Sequence, residues 1–318
     1  MRPVRTALAG ALLGALTLAA CGQSGSTTAD APPATPATTA ASSQAAAFPV
    51  TVQAGNGAVT VPAKPTQIVS LSPTATESLF AIGAGPQVIA VDDQSTYPAD
   101  APKTDLSGFK PNAEAIIAKK PDLVVLANDT GGVVAALAKV GIPVLLEPAA
   151  TKLEESYDEI ADLGAATGNK DKADQVTADM KRQIEQFAAS APKDAKLSYF
   201  HELDNTPYSV TSSTFIGQIY AMFGLTNIAD EAPDAAGGYP KLSTEFVAKA
   251  DPDLIFLADT KCCGQSKETL AKRPGWGGLS AIKKDQVFPI DDDIASRWGP
   301  RVVDLAKAID EAVKKAAG

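Results

Sequence analysis

The chain of 318 residues has few of the side chains from which catalytic sites and bare-metal sites are built. It contains one histidine, His201, and three cysteines. A zinc or manganese site normally needs several histidine or carboxylate ligands, so we do not expect direct capture of a free metal ion. Paired catalytic carboxylates, a Gly-rich phosphate loop and a nucleophile–histidine–acid arrangement are also missing. These absences favour a binding protein over an enzyme.

Positive charge is scarce as well. The chain has 28 lysines and arginines against 37 aspartates and glutamates, which gives a net charge of −9. This balance argues against recognition of nucleic acid or anionic lipid by a basic surface. The composition is 45% hydrophobic and 20% charged, which is typical of a globular protein.

The N-terminus has the pattern of an exported lipoprotein. Two arginines precede the apolar stretch Ala7–Ala20, which is short and Ala-rich for a membrane span, so residues 1–20 are predicted to be a signal peptide. The stretch ends in Leu-Ala-Ala-Cys21, which resembles the bacterial lipobox, whose cysteine is acylated. Residues 21–47 then have no apolar period and are predicted to be a lipidated, disordered tether. We therefore expect a chain that is lipid-anchored to the outer face of the cell membrane.

One helix-then-strand pattern occurs twice in the chain. Glu114 opens a segment that reaches Pro121-Asp-Leu, and Glu245 opens a similar segment that reaches Pro252-Asp-Leu, at a constant offset of 131 residues. Asn112 and Ser243 stand two positions before the glutamates and are good N-cap residues. Each glutamate then lies in the first turn of a predicted helix, where the helix dipole favours negative charge.

The pattern around the repeat predicts an α/β fold. Short apolar runs alternate with helical segments, which indicates Rossmann-like lobes with parallel sheets. Between the two series lies an amphipathic helix of about 20 residues, which spans about 30 Å. We predict an N-terminal lobe at 48–165, a linking helix at 166–192 and a C-terminal lobe at 193–318. Helix starts lie near the carboxyl ends of parallel strands, so Glu114 and Glu245 are predicted at the rim of a cleft. Simple stabilisation of the helix starts is the alternative.

Four features occur in a characteristic order: Ile68–Pro73 followed by Thr76-Glu77, Pro121–Val124, the long mid-chain helix, and Trp298–Arg301. Together they resemble the bacterial substrate-binding proteins of ABC importers that capture ferric siderophores, haem or cobalamin. The resemblance covers the chain from about residue 50 to the end. It implies two α/β lobes joined by one rigid helix, with the ligand held between them. It also implies that Glu114 and Glu245 dock onto arginines of the permease.

Within this family the chain is most similar to the cobalamin-binding members. Tyr97 lies in a segment, Ser-Thr-Tyr-Pro, whose tyrosine contacts the corrinoid in those members. Phe109 and Tyr239 fall at two further aromatic contacts, and Asp293 and Arg297 match a polar pair near the ligand. Three departures leave the ligand open: Asn128 replaces an aromatic residue, Phe223 replaces a disulfide-forming cysteine, and Cys262-Cys263 has no counterpart.

Several candidate residues keep two interpretations. Large planar ligands suit aromatic clefts, so Tyr208, Phe215 and Trp298 join the candidate contacts, with a place in the core as the alternative. Arg297 is a candidate for holding a ligand carboxylate or phosphate, or for pairing with the aspartates at 291–293. His201 follows a strand and, with a tyrosine, is a candidate haem ligand or a structural hydrogen-bonding residue.

The adjacent cysteines Cys262 and Cys263 follow a predicted strand. Outside the cytoplasm they are expected to form a vicinal disulfide, with free thiols or metal ligation as alternatives. Taken together, we predict a monomeric receptor with no intrinsic cofactor. It captures cobalamin, or otherwise a ferric siderophore, and delivers it to an ABC permease and its ATPase. A haem receptor of the same family, or an adhesion or signalling lipoprotein, is the alternative.

Overall fold

The computed structural model describes residues 47–233 and 236–318. The predicted signal peptide, Cys21 and nearly all of the predicted tether lie outside these ranges. Within them, no helix is long and apolar enough to cross a membrane.

The described chain begins with a hairpin and a parallel sheet. The hairpin strands β1 (Val50–Ala54) and β2 (Gly57–Val61) are antiparallel, and the sheet that follows has the order β4-β3-β5-β6 with every pair parallel. Three of its strands are apolar runs that are buried or nearly so on both faces, as expected for a parallel sheet covered by helices. The elements are β3 (Ile68–Leu71), α1 (Pro73–Ala81), β4 (Val88–Val91), α2 (Ala113–Ala118), β5 (Leu123–Leu126), α3 (Val133–Ala138) and β6 (Val144–Leu146).

Two long helices follow the first sheet without a strand between them. They are α4 (Leu153–Thr167) and α5 (Lys170–Ser190). Gly168 ends α4 with a φ of 70°, a left-handed conformation that glycine adopts without steric cost. The predicted linking segment 166–192 contains all of α5 and the last two residues of α4, and its role as a linker stays a prediction.

The second sheet repeats the order of the first. Its strands run β10-β9-β7-β8, again all parallel. Read by appearance in the chain, both sheets have the order second, first, third, fourth strand. The elements are β7 (Ser198–Glu202), α6 (Phe215–Met222), β8 (Thr226–Asn227), α7 (Thr244–Ala250), β9 (Leu254–Leu257), α8 (Thr260–Cys263), α9 (Lys267–Ala271), α10 (Ser280–Lys283), β10 (Val287–Pro289), α11 (Asp292–Ala295) and α12 (Val302–Ala317).

This shared order explains the sequence repeat. The two copies are α2–β5 and α7–β9, so each supplies the third strand of its sheet. In both sheets the first strand is flanked by the second on one side and the third on the other. That arrangement is a switch point, and a crevice for ligands opens there at the carboxyl ends of the strands. The predicted α/β fold with two parallel sheets and a long helix is confirmed.

The core has three parts. One continuous apolar cluster includes residues of β3, α1, α4, α5, α6 and α12, so the long helices are packed into a core shared by both sheets. Two smaller clusters cover the remaining faces, one on the first sheet and one on the second. The long helix is thus part of a shared core along its apolar face, which includes Met180 and Ile184.

The helix α1 starts before the capping pattern in its sequence. The sequence Thr74-Ala-Thr-Glu77 is typical of a capping box, but the N-cap of α1 is Ser72, whose side chain accepts a hydrogen bond from the Ala75 N–H. Glu77 lies one turn into the helix and is 2% exposed. Its carboxylate is therefore free of the capping role and is available for a tertiary contact.

Candidate functional site

A cavity opens at the carboxyl edge of the first sheet and is closed by residues that follow the second sheet. Its volume is about 330 Å³. The first sheet contributes the ends of β3, β4 and β5, and the other wall comes from α11 and the segment after it. The lining residues are Leu71, Ser72, Pro73, Thr74, Asp92, Gln94, Gly108, Phe109, Ala127, Asn128, Asp293, Ser296, Arg297 and Trp298.

Two aromatic side chains line the cavity from opposite sides. Phe109 is 73% exposed and lines the cavity, a position that suits contact with a flat ligand. Trp298 is partly buried, and its indole N–H donates to Glu159 on α4 over 2.8 Å. The Ser156 hydroxyl donates to the Trp298 carbonyl. These bonds to α4 fix the orientation of the indole ring.

Arg297 joins the two sides of the cavity. Its guanidinium donates to Glu77 of α1 over 2.5 Å and to Asp293 over 2.8 Å. It also donates to the Gln94 carbonyl and to the Thr96 hydroxyl, over 3.1 and 3.3 Å. The arginine side chain is 9% exposed. Charge-assisted pairs of this kind are strong where they are shielded from water, so this cluster holds the two walls together.

The Glu77 carboxylate contacts two arginines. Arg301 reaches the same carboxylate oxygen over 3.3 Å. Burial raises the pKa of Glu77, while hydrogen bonds and the charges of Arg297 and Arg301 oppose the rise. The Arg301 guanidinium also stacks on the Tyr97 ring, 4.5 Å from its centre. Tyr97 consequently faces a neighbouring groove with Arg301 and does not line the cavity.

Asp92 brings an unpaired carboxyl group to the cavity wall. The residue has no exposed surface, and neither carboxyl oxygen has a hydrogen-bond partner among the described residues. Burial raises its pKa, although Ser95 lies near enough to oppose the rise. The backbone of Gly108 passes over this carboxyl: a Cβ there would lie 2.4 Å from Asp92 Oδ2 and 2.7 Å from the Leu71 carbonyl oxygen. Only glycine fits at this position.

Asn128 fills the position where an aromatic residue is expected in the cobalamin-binding members. Its amide nitrogen donates to the Gly108 carbonyl over 2.8 Å, and its oxygen accepts from the Thr130 N–H over 3.1 Å. Both polar atoms of the side chain are therefore used to hold the cavity wall.

His201 lies in the core and does not line the cavity. It belongs to β7, has no exposed surface, and its Nδ1 lies 2.9 Å from the Tyr220 hydroxyl. Burial lowers its pKa to about 3, so the ring is neutral at physiological pH. The strand directs this side chain into the core, which favours the structural hydrogen-bonding interpretation, and haem ligation by His201 stays a prediction.

Phe215 is also a core residue. It is 8% exposed at the start of α6, packs in the shared cluster and does not line the cavity, so its ligand contact stays a prediction. Tyr208 and Tyr239 are 38% and 43% exposed and do not line the cavity. Their segments pair with each other, since the Ser209 N–H donates to the Pro240 carbonyl. Their contact with ligand stays a prediction.

The adjacent cysteines lie in α8, at the carboxyl edge of the second sheet. The Sγ atoms of Cys262 and Cys263 are joined by a disulfide bond. The N–H groups of Thr260, Lys261 and Cys262 donate to the Asp292 carboxylate over 2.9 to 3.1 Å. The Lys261 ammonium lies 2.7 Å from Asp291 and 3.3 Å from Asp293. The aspartate run therefore anchors the cysteine segment, and one of its members also holds Arg297.

Behind this segment lies a buried acidic pair. Glu202, at the end of β7, has no exposed surface and accepts two hydrogen bonds of 2.6 Å from Arg273. Asp259, at the end of β9, is equally buried. Burial and the neighbouring Glu202 carboxylate raise the pKa of Asp259. The arginine neutralises one carboxylate, and the second is favoured in its protonated form.

Glu114 and Glu245 occupy matching positions. Each is exposed in the first turn of its helix, behind the predicted N-caps Asn112 and Ser243, whose side chains accept from the backbone over 2.9 and 3.1 Å. The helix starts predicted from the sequence are confirmed. Neither glutamate has an ion-pair partner among the described residues. Their docking role stays a prediction.

Sequence reasoning missed two polar residues of the cavity. Glu77 belongs to a sequence pattern that is typical of a capping box, and Asp92 follows its strand as an ordinary loop residue. The signal for Asp92 was its place directly after the apolar strand β4, at the edge where ligands bind. No group of three or more His, Cys, Asp or Glu side chains in the described residues is arranged to hold a metal ion.

Comparisons with known proteins agree on one family. The family model described as periplasmic binding protein matches residues 68–294. An uncharacterized ABC transporter substrate-binding lipoprotein of Bacillus subtilis is 32% identical over 314 residues, which cover 95% of this chain and 94% of that protein. A cobalamin-binding protein of Halobacterium salinarum is 32% identical over 232 residues, covering 70% of this chain and 62% of that protein.

Solved structures share the fold. A structure from Staphylococcus epidermidis, named as a possible iron-binding (periplasmic solute-binding) protein, has a TM-score of 0.67 at 26% identity and covers 80% of this chain and 99% of that one. The vitamin B12-binding protein of Vibrio cholerae has a TM-score of 0.63 at 24% identity and covers 80% of this chain and 98% of that one. At that identity the second likeness concerns the fold alone.

Proposed function

The chain belongs to the periplasmic binding protein family, and from that premise we propose that it captures a chelated-metal cofactor and delivers it to an ABC permease. Cobalamin is our favoured ligand, followed by a ferric siderophore. The observation that carries the proposal is the cavity whose two walls come from the two halves of the described chain and present Phe109 and Trp298. Aromatic walls with a few polar groups suit a large, flat chelate.

The choice of cobalamin rests on relatives and on the sequence resemblance. Proteins named for binding cobalamin or vitamin B12 are among the relatives, at 32% and 26% identity. Haem ranks lower because the single histidine of the chain is buried against Tyr220. Histidine is a common ligand of haem iron, and a buried His201 leaves this chain without one at the cavity.

Delivery is proposed to use Glu114 and Glu245. They are exposed, lie at equivalent positions of the two sheets, and are held by well-formed helix starts. A lipid on Cys21 and a tether through residue 47 would keep this receptor close to its permease. We propose one rigid, monomeric receptor with modest closure, because the long helices share one core and the Arg297 cluster already joins the two walls.

Titration of the full chain tests the ligand. Trp276 lies wholly in the core whereas Trp298 lines the cavity, so quenching by cyanocobalamin should come from Trp298. The Trp298→Phe variant should lose most of the saturable quenching, while isothermal calorimetry should still detect binding to that variant. Ferric siderophores and haem are titrated in parallel. If cyanocobalamin gives no saturable response, cobalamin is excluded; if no chelate binds, an adhesion or signalling role replaces transport.

A further inference from the structure

The cavity contains one cation, and that cation is already neutralised. Arg297 is the only arginine or lysine among the lining residues of the described chain. Its guanidinium contacts the carboxylates of Glu77 and Asp293 over 2.5 and 2.8 Å, and only 9% of the side chain is exposed. Its remaining close contacts are a carbonyl and a hydroxyl of the opposite wall. No free positive charge is left there for an anionic ligand.

Carboxyl groups, in contrast, outnumber cations among the residues of the described chain that line the cavity. Asp92 and Asp293 both line the cavity, and Glu77 lies directly behind Arg297. The second arginine near Glu77, Arg301, contacts the same carboxylate over 3.3 Å but lies in the neighbouring groove against Tyr97 and does not line the cavity. Lys261 lies near Asp293, but it is itself paired with that residue and its neighbour. A ligand carboxylate entering this cavity would meet carboxyl groups of the protein and no unpaired cation.

Such an encounter is costly because the cavity is partly shielded from water. Like charges brought within a few ångströms repel far more strongly there than in bulk solvent, and an ion that loses its hydration without gaining a partner is penalised further. A neutral amide, or a cationic group, avoids both costs and can donate hydrogen bonds to these carboxyl oxygens.

We propose that Glu77 and Asp293, by neutralising Arg297, make the cavity selective for a metal chelate that is neutral or cationic and reject chelates with free carboxylates. This inference rests on the proposed function only in taking the ligand to be a metal chelate. Glu77 and Asp293 act as positioning residues, since they work through the charge and orientation of Arg297.

Matched ligands that differ in charge test the proposal. The full chain is titrated with cyanocobalamin and with each monocarboxylic acid obtained by hydrolysis of one side-chain amide. We expect at least one acid to bind about tenfold more weakly than cyanocobalamin, the amide, at low salt. This difference in affinity should decrease as the salt concentration rises. Ferrioxamine B, which carries an ammonium group, and its N-succinyl derivative, which carries a carboxylate, form a second pair.

Variants then test the role of the two carboxylates. Asp293→Asn and Glu77→Gln each remove the negative charge of one partner of Arg297. In each variant, the ratio of the affinity for the amide to the affinity for the acid should fall by about threefold or more. Asp171→Asn, an exposed position at the start of α5, makes the same change in net charge away from the cavity and should leave this ratio unchanged. The affinity ratio is the readout, so a general loss of affinity does not imitate the effect.

The outcomes separate this inference from the proposed ligand. Equal affinity for all acids and the amide, or an unchanged ratio in both folded variants, would overturn the charge selectivity and leave transport of chelates intact. If cyanocobalamin fails but ferrioxamine B binds better than its succinyl derivative, the ligand choice is wrong and the selectivity stands. If Glu77→Gln does not fold, the more exposed Asp293→Asn decides. If only carboxylate-bearing chelates bind, the inference fails.

Discussion

Replacing Glu147 by glutamine should stabilise the protein, and increasingly so as pH rises. Glu147 directly follows β6, is 4% exposed, and its Oε1 has no hydrogen-bond partner among the described residues. It lines a cavity of about 290 Å³ beside α4, whose other charged lining residues are all acidic. Burial, and then the charges of Glu159 and Asp162, raise the pKa of Glu147 from 4.5 to about 9.

The magnitude follows from proton linkage. Between pH 4.5 and about 9 the folded protein holds a proton on Glu147 that the unfolded chain has released. The raised pKa therefore costs no stability below about pH 4.5, and the cost grows as pH rises through this window. At about 1.4 kcal/mol per pH unit, the cost at pH 7 is about 3 kcal/mol. Glutamine has nearly the same shape and never ionises, so Glu147→Gln should recover about 2–3 kcal/mol at pH 7 and almost nothing at pH 4.

Urea denaturation at pH 4, 5.5, 7 and 8 measures this difference. The free energy of unfolding of Glu147→Gln should exceed that of the wild type by an amount that grows with pH. Glu154→Gln, an exposed position on the same helix α4 as Glu159, makes the same charge change and serves as the control. A stability difference that is independent of pH, or a destabilised Glu147→Gln at pH 8, would refute the reasoning.

Three further predictions concern other parts of the molecule. Arg273→Met should lower the free energy of unfolding at pH 7 by about 3–5 kcal/mol, because Glu202 is left charged and buried; adding Glu202→Gln should recover most of the loss in chemical denaturation. Gly108→Ala should weaken chelate binding at least tenfold by calorimetry, because its Cβ would lie 2.7 Å from a backbone oxygen of the cavity wall; unchanged affinity would show that the wall can move. Glu114→Lys with Glu245→Lys should abolish cellular uptake and leave calorimetric affinity unchanged; normal uptake would rule out docking through these glutamates.

Local sequence signals predicted the elements well. The buried strands Leu123–Leu126 and Leu254–Leu257 were visible as short apolar runs after Pro-Asp, and the helix starts at Asn112 and Ser243 were visible as capping residues. These features depend on neighbours in the chain. Their energetic causes, burial of a strand on both faces and satisfaction of free N–H groups, act over a few residues.

The candidate site was less predictable, because the same residue types serve several purposes. Phe215 begins the helix α6 and His201 lies near the end of the strand β7, positions at which ligand-binding residues also occur. Both side chains nevertheless point into the core. Arg297 suggested a clamp for a ligand anion, but its charge is taken up by Glu77, which lies 220 residues earlier in the chain. No local pattern encodes a pairing over that distance.

Local features of the sequence are enough to specify the α/β class, the repeated α2–β5 and α7–β9 units and the exposed glutamates at their helix starts. Those properties follow from periodicity and capping, which are local. The charges and hydrogen-bonding groups that the cavity presents to a ligand, in contrast, depend on the packing of distant segments. The tertiary structure brought Glu77 of α1 against Arg297 and left the Asp92 carboxyl without a partner. Charge balance depends on which groups meet after folding, and burial, which sets the strength of each interaction, exists only in the folded chain.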